Sequence, residues 1–544
     1  MTRRTLGVLL AVAVALVALT ATAAFAGDND SGFKTAKPAF LDGKNGWTAE
    51  AIISVGDELP GGYHFEAIPD GISIGNINGK GTADILVNHE LSPVPFPATR
   101  QDPINSTVSK LRLNQHSAGV LKGEYVIPQS AGYQRFCSNF LVGKEHGFDR
   151  ELLLTNEEAR DIVLRQADSW HQPGVQLSEP GAEQAGVVVA YDVKSGAFKS
   201  IYGMGRHNHE NAVGIPGYGY PVVLSGDDTF DAPASQLYLY TAASGSAFWN
   251  DTGTLYAFKA NDTTLNDYGD ITEPMGPVPG TFIPVPAAIA TGKINGRDVI
   301  ASDFGYPNPP SSAIPNGPQW VLEHWSNLNN VFQFIRIEDT AYDRNNPRIS
   351  YMADTGEPRA LPDATTTRLR RGPSGTEGPY PNGRIWKFTL GSNPLEATLD
   401  ILPGANFDAL GYRNVNAVHQ PDNIETTSEG LYIQEDTGSH NGQSARFPTA
   451  TNARVWRYDL TSTTPSLGVI AEVNQAVPGA PTTLNRGTWE SSGIVDASSI
   501  FGPGAFLLDV QAHQWDMDAG AGNDAPAVPK RENGQLLLLR APSS

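Results

Sequence analysis

The sequence predicts an all-β protein: a single large β-propeller, six blades being the expected count, with elaborated loops and a few short helices. Three observations predict it. Strand signals of alternating aromatic and aliphatic residues recur from end to end, as at 186–191, 236–240 and 253–258. Two such strands are near copies, Gly-Arg-Ile-Trp-Lys-Phe-Thr-Leu at 383–390 and Ala-Arg-Val-Trp-Arg-Tyr-Asp-Leu at 453–460, and a third at 534–540 closes the chain. They start 70 residues apart (454 − 384) and then 81 (535 − 454), a spacing that suits one four-stranded blade plus a long loop. The 56 glycines and 40 prolines supply the turns such a fold needs. No long stretch has helical periodicity, and the best short helix candidate is 157–168. A pair of β-sandwiches is the competing layout.

Taken in order, the chain begins with an export signal. Arg3 and Arg4 give a positive start, 6–23 is apolar, and Ala24-Phe25-Ala26 fits the small-x-small cleavage rule, so residues 1–26 read as a cleavable signal. The competing reading is an uncleaved membrane anchor. The Arg3-Arg4 pair resembles a twin-arginine signal for folded cargo, and the general secretory route stays open beside it. Residues 27–45 read as a flexible leader and 46–544 as one propeller domain. Within it, Gly-Asn-Ile-Asn-Gly at 75–79 is echoed by Gly-Lys-Ile-Asn-Gly at 292–296, each before an apolar run.

Composition excludes some partners. Hydrophobic content of 40% and nine tryptophans are ample for a core, and the net charge is −20, or −22 once Arg3 and Arg4 are removed. So acidic a body argues against nucleic acid or an anionic membrane as partner. Excess carboxylate in an exported protein suggests hard cations bound through oxygen, with a plain acidic surface as the alternative. The single cysteine, Cys137, forms no internal disulfide; buried filler is its ordinary role, ahead of an intermolecular link or a functional thiolate.

The signals that carry chemistry are acidic and histidine-containing clusters at strand ends. They include Asn88-His89-Glu90, Arg135 to Asn139, Asn156-Glu157-Glu158, the 205–211 run with His207, His209 and Glu210, and Asp227-Asp228. Arg336-Ile337-Glu338-Asp339, Asp422-Asn423, Glu435-Asp436, Glu490 and Gln511-Ala512-His513 complete the set. One such end is ordinary turn chemistry. The same design repeated along a propeller would converge on one channel, where gathered carboxylates call for cations. The histidines and a thiolate would admit a transition metal as well.

In that order, Asn-His-Glu, Cys-Ser, Thr-x-Glu-Glu, Gly-Arg-x-x-His-Glu, Gly-Asp-Asp, Arg-x-Glu and Gln-x-His resemble the PhoX family of secreted alkaline phosphatases, from about residue 68 to 513. The resemblance implies a propeller that hydrolyses phosphate monoesters at a multinuclear centre of Fe3+ and Ca2+. It implies Cys137 as an iron ligand, Glu210 and Glu338 as cluster carboxylates, and Arg336 as the clamp on a substrate phosphate. Glu90, Glu157, Glu158, Asp422 and Asp436 are further ligand candidates. The expected partner is a small phosphorylated substrate, and the expected state is a secreted monomer without stable membrane association.

The chain also departs from the family pattern. Asn139 and Phe140 stand where glycines are usual, Asn156 where a cysteine is usual and Ile337 where a proline is usual, and no motif here places the family's phosphate-contacting lysine. Two other readings stay open. One is a calcium-stabilised binding propeller without catalysis, suggested by the loop at 75–84, which resembles an integrin-type calcium repeat. The other is a propeller hydrolase acting on phosphodiesters, phytate-like polyphosphates or lactones. No Gly-x-Ser-x-Gly elbow supports a nucleophilic serine.

Overall fold

The computed structural model describes residues 31–79, 81–90, 105–165, 175–229, 235–311, 314–363, 367–373, 375–410, 414–438, 451–516 and 532–542. The export-signal reading of residues 1–26 lies outside these. Among the described residues the chain is all-β and forms a propeller, its sheets being antiparallel meanders that radiate from a common channel.

Pairing gives six four-stranded units in chain order. Their innermost strands are Pro69–Asn78, Phe136–Val142, His209–Gly214, Ile337–Tyr342, Pro421–Thr426 and Glu490–Asp496, each packed beside the next and the last beside the first. The third and fourth units are joined at their outer edges by strand Val278–Pro284, which pairs with Thr254–Ala260 on one side and Glu396–Asn406 on the other. The ring is closed by strand Thr48–Ser54, which pairs with the C-terminal strand Glu532–Arg540 in the sixth unit.

The core explains why the sequence alternates aromatic and aliphatic residues without polar gaps. Apolar side chains fill six clusters, one between each pair of neighbouring units. A strand in mid-unit is therefore covered on both faces, and its odd and even residues enter different clusters. Leu536 and Leu538 pack towards the first unit while Leu537 and Leu539 pack towards the fifth. Val187 and Val189 likewise face the first unit, and Val188 and Ala190 the third. The near-copy strands at 384, 454 and 535 all hold the same place, third from the channel, in the fourth, fifth and sixth units.

Three expectations change. Residues 31–45 are built into the fold: Phe33 bridges Val120, Phe40 is fully buried, and Leu41–Gly43 is a fifth strand on the outer edge of the fifth unit. The helix candidate at 157–168 is, in its described part, a strand end followed by a two-residue ladder, Ile162–Val163 with Glu183–Gln184. Its apolar spacing comes from Ile162 and Val163 in that ladder, while the 11-residue helix Pro318–Leu328 lies elsewhere, packed on the second and third units. Finally, the echo of 75–79 at 292–296 is not a structural repeat. The first is the end of strand Pro69–Asn78 running into its turn within the first unit, and the second forms the small hairpin Lys293–Ile294 with Arg297–Asp298, outside the blades.

Candidate metal centre

Each innermost strand begins with an irregularity. In five of them two residues oppose one on the neighbouring strand: Asp70-Gly71, Cys137-Ser138, Glu210-Asn211, Glu338-Asp339 and Asp422-Asn423. Such a bulge interrupts the alternation of faces, so both residues can project to the same side. Here that side is the channel. The first residue of each pair lines one chamber, of about 440 Å³, and the second lines another, of about 240 Å³. The sixth strand contributes Glu490 to the larger chamber and Gly493 to the smaller. Three of the strands are entered through left-handed backbone at non-glycine residues, Ile68 (φ 42°), Arg135 (φ 40°) and Gln420 (φ 56°). Each costs about 1–2 kcal/mol, and the recurrence at equivalent places marks the channel end as the strained end of the fold.

In four of the six units the second strand adds to the larger chamber through the residue that follows its last pairing partner. Glu90, Glu158, Asp228 and Asp436 arrive this way, each one residue beyond His89, Glu157, Asp227 and Glu435. Among the described residues, four overlapping triads bring donor atoms within 4.8 Å of one another: Asp70–Glu90–Cys137, Cys137–Glu158–Glu210, Glu210–Glu338–Asp422 and Asp422–Asp436–Glu490. They link into one continuous arc of eight carboxylates and a thiol drawn from all six units.

The chamber holds ten carboxylates against Arg135, Arg336 and His513. Burial, and after it the charge of Asp228, push Glu158 up to about 8, and burial pushes Asp70 up to about 7. Glu210, Glu338, Asp422, Glu90 and Glu490 are also held well above the ordinary range, by burial first and by neighbouring carboxylates after it. Burial and the surrounding Glu210, Glu90 and Glu158 raise the Cys137 thiol, whose Sγ donates to Glu158 Oε2 at 3.2 Å. Burial opposes a charge on His513, yet its hydrogen bonds to Glu490 and Glu532 hold it as an imidazolium. Arg336 is gripped by Asp228 through Nε (2.7 Å) and Nη2 (2.9 Å) and touches Glu338 Oε1 at 2.5 Å.

This donor set fits cations of two kinds. Oxygen is abundant, as calcium requires, and two buried oxygens, Asp70 Oδ1 and Gln511 Oε1, accept no hydrogen bond from the protein. One soft thiol among them fits a transition metal such as iron.

Of the residues expected in the site, Glu90, Cys137, Glu158, Glu210, Arg336, Glu338, Asp422 and Asp436 are brought together. Glu157 is not. Its carboxylate takes hydrogen bonds from Arg165 Nη1 and Nη2 (2.8 and 2.9 Å) and from the backbone of Gln134, Gly186 and Val187, buried one residue short of the chamber. The histidines fail for the same reason of strand parity. His89 is held by the Glu66 carbonyl and Ser109, and His209 by Ser225 and the Gly205 carbonyl, each one residue before the acid that enters. His207 packs against His209, stacks on Tyr238 and lines a separate small cavity. The calcium-loop reading of 75–84 is also displaced, because Asp84 is already paired with Arg112. Asp70 and Glu532 were missed altogether. The one available signal for Asp70 was its place in Ile-Pro-Asp-Gly, which matches Gln-Pro-Asp-Asn at 420–423.

No family model matches the chain, and no curated protein does. Among solved structures it is similar to a protein of unknown function from Dyadobacter fermentans DSM 18053, at 8% identity and a TM-score of 0.39, covering 91% of this chain and 100% of that one. An ancestral GH74 enzyme matches at 8% identity and a TM-score of 0.18, covering 86% of this chain and 64% of that one. No described helix is long and apolar enough to cross a membrane.

Proposed function

We propose that this protein is a secreted, metal-dependent phosphatase that hydrolyses phosphate monoesters at a multinuclear calcium and iron centre in the propeller channel. The observation that carries the reading is the arc of eight carboxylates around Cys137, drawn from all six units, with Arg336 inside the same chamber. Asp70, Glu90, Glu210, Glu338, Asp422, Asp436 and Glu490 would hold calcium, and Cys137 with Glu158 and Glu210 would hold the iron. Bound there, the cations supply positive charge to phosphoryl oxygens and to the charge that develops during in-line displacement.

The chain's own groups do the rest. Asp228 takes the Nε–Nη2 edge of the Arg336 guanidinium and fixes its plane, so Arg336 would meet a phosphate oxygen as an oriented positive charge and not through that fork. Arg135, anchored on the Glu158 carbonyl and on Asp161, presents a second cation to the chamber. The residues Arg3 and Arg4 support export, and cleavage after Ala26 would release the mature chain.

Elemental analysis of the purified protein, paired with p-nitrophenyl phosphate turnover with and without a chelator, tests the reading. Iron and calcium with chelator-sensitive turnover are expected, and Arg336→Lys should lower turnover at least tenfold while keeping the metals. Calcium with no turnover of mono- or diesters would replace this reading with the binding propeller.

A further inference from the structure

We infer that Asn423 is a positioning residue that sets the hydrogen-bond polarity of the metal centre from the chamber behind it. The inference rests on the metal reading above and goes beyond it, since Asn423 lines the smaller chamber and its hydrogen bonds go to Ser138, Ser492 and Gly493, none of which is a proposed cation donor. Its amide is wired on both ends. Oδ1 accepts from the Gly493 backbone N–H (3.2 Å) and the Ser492 hydroxyl (3.0 Å), and Nδ2 donates to Ser138 Oγ (2.9 Å). A backbone N–H can only donate, so the end beside Gly493 must be the oxygen, and the orientation is fixed by chemistry.

Direction then propagates outwards. Ser138 Oγ, already receiving a proton from Asn423, turns its own towards Glu210 Oε1 at 3.2 Å. Ser492, whose hydroxyl faces both Asn423 Oδ1 and Asp70, offers its lone pair to Gln511 Nε2 at 3.3 Å. That same amide nitrogen reaches Asp70 Oδ2 (3.2 Å) and Glu90 Oε2 (3.3 Å). The two hydrogens on Gln511 Nε2 are shared among these three acceptors, and Ser138 supplies Glu210, so the carboxylates at the edge of this network face donors and are asked for no hydrogen, the arrangement that favours an ionised oxygen pointed at a cation. One amide in the fifth unit thereby orients donors in the third and first units. All of the members are buried.

The test uses the full mature protein, stripped with a chelator and titrated with calcium chloride by calorimetry, beside thermal melts of the stripped protein. Asn423→Leu should weaken calcium binding 10- to 100-fold, the usual consequence of losing an outer-shell partner. Asn423→Asp separates polarity from charge. Simple attraction predicts tighter binding, whereas the network predicts weaker binding, because an aspartate cannot donate to Ser138 and draws its proton from Glu210. Ser138→Ala and Ser492→Ala each break one branch and should weaken binding less, so they keep the test alive if Asn423→Leu does not fold. A purely structural role would shift the melts of stripped protein and leave calcium affinity alone, and that result overturns the inference. Wild-type protein that binds no calcium overturns the metal reading itself; tight wild-type binding with unchanged variants overturns only the role of Asn423.

Discussion

Glu157 and Glu158 are neighbours at one strand end, and exchanging each for glutamine should have opposite effects. Glu157 is fully buried and accepts five hydrogen bonds, two of them from Arg165. Turning its amide nitrogen to the less crowded side still sets it against Arg165 Nη1 and the Gln134 N–H, which share Oε1. It also leaves a buried guanidinium short of one counter-charge. Breaking a buried ion pair from one side costs about 3–5 kcal/mol, a factor of roughly 150 or more in the folding constant.

Glu158 is also buried, but its pKa is raised from 4.5 to about 8. An acid raised on folding holds its proton in the native state after the unfolded chain has lost it. Its contribution to the stability of metal-free protein is full below about pH 4.5 and is lost as pH rises towards 8. Glu158→Gln should therefore leave stripped protein as stable or more stable at pH 8, while iron and calcium content falls. Urea denaturation of stripped protein and elemental analysis of loaded protein read the two effects separately. Glu157→Gln that keeps its stability and loses metal would refute the parity argument.

Other outcomes follow from the same geometry. Cys137→Ser, read by elemental analysis and absorbance, should lose the transition metal and retain calcium, because the oxygen arc survives without the thiol. Asp509 is fully buried with neither carboxylate oxygen hydrogen-bonded, and burial followed by Asp70 holds its pKa well above the ordinary range. Asp509→Asn should therefore raise the thermal midpoint more at pH 8 than at pH 5; a larger gain at pH 5 would contradict the sign. Ile53→Glu places an unpaired charge in the strand that closes the ring and should cost several kcal/mol, with calcium binding and protease resistance lost together.

The propeller was legible because a strand covered on both faces needs apolar residues at consecutive positions, as 536–539 shows most plainly, and because 384–390 and 454–459 repeat one aromatic pattern at the same place in neighbouring units. The site was legible only to within one residue. A strand end written Glu157-Glu158, His89-Glu90 or Glu435-Asp436 contains one side chain bound for the sheet and one for the channel, and composition does not say which. Pairing does, because it fixes where the ladder stops. Asp70 stayed hidden since Pro-Asp-Gly is also ordinary turn chemistry, and the bulge that turns it into a channel residue depends on a partner strand 20 residues away. The supposed leader misled because its few apolar anchors, Phe33, Phe40 and Leu41, find their partners at Val120, at Trp489 and Trp515, and at Val473, too far along the chain for local pattern to reveal.

The closure between Thr48–Ser54 and Glu532–Arg540 predicts slow folding. Strands separated by almost the whole chain must meet before the ring exists, and such non-local topology folds late and through a large entropic barrier. The donors of the arc run from residue 70 to residue 490, so no fragment can assemble them. A cation that binds the complete arc binds only the closed form, and its affinity is added to the free energy that keeps the ring shut. The metal centre would then act as a clasp that reports completion: a chain that carries its cations is one whose last strand has docked.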